Sequence, residues 1–232
     1  MAPDIPSFVR WDTPHLFVVG LTLLATCIIA LLGKHCREET RLRIGKGIAV
    51  TLALMFVTEF SWRFLGYNGK VWQENLPLHF CSVMVIVSII ALGWRKRWAC
   101  AMVYFGVLTA SVQGLITPAL EDGYPTFSFC IFFLSHGMLF LSAMAVIFLL
   151  RWKARRKDIL RTLFLFDAYI LAIIPINLWL GTNYCFTQKS PVPGCILDYL
   201  GAAPWYYLWL QPAILGIFAL MYLPLKERYA KS

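Results

Sequence analysis

Residues 126–150 read TFSFCIFFLSHGMLFLSAMAVIFLL. The run contains no Asp, Glu, Lys or Arg. As a helix rising 1.5 Å per residue it would reach roughly 37 Å. Crossing ~30 Å of hydrocarbon takes about 20 apolar residues. In lipid each backbone amide must be paired within its own segment, so such a run is a helix. Residues 16–33, 98–120 and 199–225 are likewise free of formal charge. Across the whole chain 59% of the residues are hydrophobic and 14% are charged. A water-soluble domain carries about 25% charged residues. These features predict an all-α polytopic membrane helix bundle. One transmembrane domain is expected over residues 1–232, with spans near 15–33, 46–66, 74–93, 98–120, 126–150, 160–181 and 203–225.

Seven spans put the termini on opposite sides, and the basic residues choose which. Lys34, Arg37, Arg41, Arg43 and Lys46 follow the first span, and Arg95, Lys96 and Arg97 the third. Arg151, Lys153, Arg155, Arg156, Lys157 and Arg161 follow the fifth, and Lys226, Arg228 and Lys231 the last. Only Arg10, Lys70 and Lys189 lie in the opposite set of connections, and Arg63 lies within the second span. The positive-inside rule then predicts an outside N-terminus and a cytoplasmic C-terminus, in a plasma membrane. Tryptophans near both ends of the spans fit two interfacial belts. The net charge of +9 is divided among short turns rather than gathered on one soluble face, which argues against nucleic acid as a partner. The first apolar run is long for a cleaved leader and lacks a basic n-region, so it is expected to be a helix of the bundle.

Ionisable groups in a span cost about 2.5–3.5 kcal/mol on insertion scales, so each calls for a reason. Glu59 and Arg63 lie i,i+4 on one helix and can neutralise each other. His79, His136, Ser82, Gln113 and Asn177 fall, with that pair, in the half of the membrane facing the basic-poor side. Asp167 lies nearer the cytoplasm and is expected to pair with a neighbouring helix. The outer cluster predicts a wet cavity open to the outside or to the outer leaflet. Helical residues i and i+2 point to opposite sides, so His79 and Cys81 cannot share a face. If Cys81 is the nucleophile, its base comes from another helix, and His136 is the candidate. Alternatively His79 acts with His136, or activates Ser82 or a water. Cys185 and Cys195 lie in one outer loop, CFTQKSPVPGC, and an oxidising compartment permits a disulfide there. No Cys/His spacing matches a zinc site, and no metal or cofactor is expected.

The segment LPLHFC (Leu76–Cys81) together with His136 resembles the bacterial YwaF-like integral membrane proteins. So does the stretch Asn177–Trp209, with LGTNY (180–184), ILDYLG (196–201) and PWYYL (204–208). That family is similar, at a distance, to eukaryotic transmembrane protein 164, an acyltransferase of ether phospholipids with a proposed cysteine nucleophile. The resemblance implies acyl transfer or hydrolysis on a membrane lipid, with Cys81, His79 and His136 as motif residues. Glu59, Arg63, Ser82, Gln113 and Asn177 are then candidate substrate-binding groups. A non-enzymatic transporter or ligand-binding protein could use the same polar cavity. The seventh span holds no lysine for a retinal Schiff base, and no inverted repeat is visible.

Overall fold

The computed structural model describes residues 6–66, 69–191 and 196–227. Among the described residues, seven rods succeed one another: α1 (Thr13–His35), α2 (Glu38–Phe64), α3 (Phe80–Trp94), α4 (Arg97–Ile116), α5 (Phe127–Phe148), α6 (Arg156–Leu180) and α7 (Tyr206–Leu225). Six are long and apolar enough to cross a membrane, and α3 is shorter. The protein is therefore a multi-pass membrane protein.

Local chemistry sets the helix ends. The Asp12 carboxylate caps α1 by accepting from the His15 amide at 2.9 Å, and Pro14 sits in the first turn. The Thr126 hydroxyl accepts from Phe129 N–H at 3.2 Å and starts α5. Each cap satisfies an amide that has no intrahelical partner. α6 stops at Gly181, where φ is +68°, a conformation that a Cβ opposes.

Two boundaries differ from expectation. α2 begins at Glu38 rather than near 46, so Arg41 and Arg43 lie on the helix; salt bridging of Glu39 to Arg43 and the acidic first turn support the extra turns. The expected span 74–93 is helical only from Phe80. A short 3-10 turn at Trp72–Glu74 and an extended strap through Pro77 precede it.

α4 and α5 form the centre of the bundle, with 61% and 56% of their apolar windows buried, against 11% for α1 and 6% for α7. Phe17 and Leu24 of α1, Phe164 and Leu171 of α6 and Leu220 of α7 are exposed. Such a surface suits lipid and not water. Buried polar pairs join the helices: Ser88 and Ser142 are 2.9 Å apart between α3 and α5, and the Tyr104 hydroxyl donates to Met221 O at 2.7 Å. α1 lies close against the end of α5, where a Cβ on Gly33 would stand 2.6 Å from Phe148 O.

The basic connections converge at one end. Arg41 donates to Leu149 O and Arg151 to Gly33 O. Arg97 pairs with Asp158 at 2.6 Å, and Arg155 with Glu227. The other end gathers the N-terminal segment, the strap and the loop after α6. Phe8 N–H bonds Glu121 O at 2.7 Å there, and Asn75 donates to Arg63 O. Buried His15 belongs to this end as well. Its Nδ1 accepts from Trp11 N–H, which leaves Nε2 to donate to Leu115 O, both at 2.9 Å.

Candidate active site

Cys81 is the second residue of α3, and His136 lies midway along α5. Their side chains face each other between the helices, within electrostatic reach. The imidazole that faces Cys81 therefore belongs to another helix, α5. Three neighbours hold the imidazole. Its Nδ1 lies 2.9 Å from Phe132 O. A carbonyl only accepts, so Nδ1 carries the hydrogen and Nε2 presents its lone pair. The Phe132 ring stacks on one face at 4.2 Å between centroids. Gly114 lies on the ring, where a Cβ would stand 2.2 Å from Cδ2. The thiol also faces the Ser111 hydroxyl.

Glu59 lies within electrostatic reach of both Cys81 and His136. It is paired with Arg63 along α2, with side chains 13% and 28% exposed. The pair brings an almost neutral polar group to the dyad. The self-neutralisation expected from its i,i+4 spacing is present.

The strap ahead of Cys81 is fastened by the loop after α6. Leu76 N–H donates to the Tyr184 hydroxyl at 2.9 Å, and that hydroxyl donates to Gln73 O. The Tyr169 hydroxyl donates to Leu78 O at 2.8 Å. The loop is in turn built on Asn177. Both of its amide hydrogens are used, on Tyr184 O and Thr187 Oγ1. Its oxygen accepts from Thr182 Oγ1 and Tyr184 N–H. The two stretches that carried the sequence resemblance are thus in contact, one positioning the other.

Several expected roles change in this geometry. Asn177 is 1% exposed and fully hydrogen-bonded, which leaves no donor for a substrate. His79 is the N-cap residue of α3, in extended conformation, with its ring edge-on to Tyr184 at 4.9 Å and near Phe186. It packs in the strap and loop and is not among the groups that contact His136. Ser82 is partly buried beside Cys81, and Gln113 is exposed. Asp167 meets Gln211 of α7 at 2.8 Å, the interhelical partner expected of it. The Cys185 end of the expected disulfide carries a free thiol, turned inward to Leu78 O at 3.4 Å. Burial pushes that thiol up to about 12, so it stays protonated. Cys195 lies outside the described residues. Among the described residues no group of three His, Cys, Asp or Glu could hold a metal ion. A groove of about 610 Å³ between α1 and α5, lined by Leu31, Lys34, Phe148 and Arg151, opens at the basic end, far from the dyad.

Ser111 and Gly114 are not candidates on sequence grounds. Small residues in an apolar helix ordinarily signal packing, and neither residue type nor spacing marks them out.

No solved structure matches the chain. An uncharacterized protein of Treponema pallidum (strain Nichols) is 24% identical over 229 residues, covering 96% of this chain and 92% of that protein. The TMEM164 family matches residues 10–222. That match takes in the dyad, the strap and the loop that holds it, and on this extent the chain belongs to the TMEM164 family.

Proposed function

We propose that the protein moves acyl groups of membrane phospholipids, to a second lipid or to water, with Cys81 as nucleophile and His136 as base. The observation that carries this is the paired thiol and imidazole, with the second ring nitrogen committed to Phe132 O. A nucleophile in reach of a base, itself oriented by a third group, is the arrangement that covalent acyl transfer requires. A structural cysteine in an apolar core needs no such partner.

The chemistry is set by the tautomer. Nε2 of His136 takes the thiol proton as Cys81 Sγ attacks the ester carbonyl. The new S–C bond forms, and the carbonyl π electrons move onto oxygen. When the carbonyl re-forms, the C–O bond to the lysolipid breaks and the leaving oxygen takes the proton from Nε2. A thioester remains on Cys81. An acceptor hydroxyl then gives its proton to Nε2 and attacks the thioester, and the Cys81 thiolate leaves and is reprotonated from Nε2. The acceptor decides between transferase and hydrolase. Arg63, paired with Glu59 one turn back on α2, suits a phosphate at the headgroup level. The dyad lies toward the basic-poor end, so an outside N-terminus in the plasma membrane gives it substrate from the outer leaflet.

The test uses purified protein with phosphatidylcholine labelled in one acyl chain and an added lysophospholipid. The label is expected to appear on the acceptor lipid or as free fatty acid. Cys81→Ala and His136→Ala should each lower the rate by on the order of 1000-fold or more. Lipids left unchanged by the wild type would sink the enzyme and favour a binding or transport protein. Full activity in Cys81→Ala would remove the thiol mechanism.

A further inference from the structure

The rod α4 is not an α-helix throughout. From Val103 to Ser111 it is π-helical, and Val112 N–H reaches back five residues to Val107 O at 2.8 Å. A π turn carries one extra residue, is less favourable than an α turn, and recurs at functional sites. The extra residue rotates the remainder of the rod by about one position, and the segment ends on Ser111.

Ser111 is 1% exposed and faces the Cys81 sulfur. Its hydroxyl makes no hydrogen bond of ordinary geometry. Serines in helices commonly satisfy themselves on a carbonyl one turn back. Ser135 donates to Phe132 O and Ser142 to Leu139 O in this way. Ser111 does not, and a buried hydroxyl left unpaired is unfavourable. The donor is therefore held in readiness at the sulfur.

The opposite wall is the start of α3. The first amides of a helix have no intrahelical acceptor, and α3 has no side-chain cap. Val83 N–H is used on His79 O, and Phe80 N–H is turned toward the Cys185 sulfur. The amides of Cys81 and Ser82 lie between these two, at the base of the nucleophile's own side chain. A helix start favours negative charge, and the sulfur and any oxygen bonded to its target develop that charge here.

We propose that Ser111, delivered by the π segment, is the oxyanion donor of the Cys81 site and works with the first-turn amides of α3. The proposal rests on the acyl-transfer reading above. At rest the hydroxyl faces the sulfur. As the S–C bond forms and the carbonyl electrons move to oxygen, the hydroxyl donates to that oxygen. When the electrons return and the leaving oxygen departs with the proton from His136 Nε2, the bond is released. Ser111 keeps its proton throughout and forms no covalent bond.

The experiment uses the full chain in nanodiscs with p-nitrophenyl octanoate, whose acylation of Cys81 releases p-nitrophenolate in a burst. The burst rate of Ser111→Ala is expected to fall by on the order of 100-fold with KM little changed, the loss seen when one oxyanion donor is removed. Ser111→Thr should recover most of the rate, and Ser111→Val, close to it in shape, should not. The Thr and Val pair carries the comparison should Ser111→Ala fail to fold, as judged by thermal melting. A wild-type burst rate in Ser111→Ala, or equal loss in folded Thr and Val variants, overturns the proposal. Alkylation of Cys81 by iodoacetamide, tracked on its peptide by mass spectrometry, separates the two ideas. No burst in the wild type refutes acyl transfer. Alkylation several-fold slower in Ser111→Val than in Ser111→Thr then still supports Ser111 as the sulfur's donor, and equal alkylation refutes that too.

Discussion

Gly114 shows how closely a single position is bound to the chemistry. Its Cα is the floor under the His136 ring, and a methyl group there would stand 2.2 Å from Cδ2 and 2.5 Å from Nε2. The nitrogen it would strike is the one assigned to Cys81 in the proposed reaction. The ring cannot retreat easily, because Phe132 stacks on it and Phe132 O holds Nδ1. Gly114→Ala should therefore displace the imidazole and lower acyl transfer by about 100-fold, since misplacing a catalytic group by about 1 Å costs that much. Thermal melting of the variant should change far less than its activity. Activity within a few-fold of wild type would mean that the ring moves without consequence. The same scale separates the protein's histidines. His15 uses both ring nitrogens in hydrogen bonds to the backbone, whereas His136 spends one and keeps one.

Among the elements, the strap from Leu76 to His79 matters most, because it sets where α3 begins and so where Cys81 stands. It has no regular structure of its own, and its carbonyls and amides are satisfied by side chains from α6 and the loop after it. Asn177 organises that loop with four hydrogen bonds in a site 1% exposed. Asn177→Ala leaves several buried backbone and hydroxyl groups unpaired and should destabilise the protein by about 2–4 kcal/mol. A clear fall in melting temperature, with Cys81 more rapidly alkylated as the strap loosens, is the expected result. An unchanged melt would mean that water replaces the amide at no cost. By sequence, Asn177 reads as a candidate substrate-binding group. Its polar character and depth are legible there, but not its partners, which lie five to ten residues further along a loop without periodic pattern. The π segment of α4 is equally hidden, because its residues are as apolar as those of any span.

Across the whole molecule, charge is sorted by end. Arg97, Asp158, Arg155 and Glu227 join the connections between α3 and α4, α5 and α6, and the tail after α7 into one network. The other end carries the strap and the loop after α6. With that end outside, an impermeant maleimide added to intact cells should label Lys189→Cys above the wild-type background and reach Lys96→Cys only after permeabilisation. The reverse pattern would invert the topology and move the dyad to the other leaflet. The sequence by itself determined that the chain crosses a membrane many times as helices, because about twenty apolar residues without charge have no other stable form in lipid. It also determined which connections share a side, because charge resists crossing and the count of spans alternates. It put forward His136 as the partner of Cys81, because residues two apart on a helix do not share a face, and left open His79 acting with His136, Ser82 or a water. Only the tertiary structure set His79 apart in the strap and brought Ser111 and Gly114 beside Cys81 and His136. That arrangement depends on where α3 starts, how α4 is rotated by its π turn, and how near α5 can approach over a residue without a side chain. These are distances between segments far apart in sequence, and no periodicity within one segment encodes them.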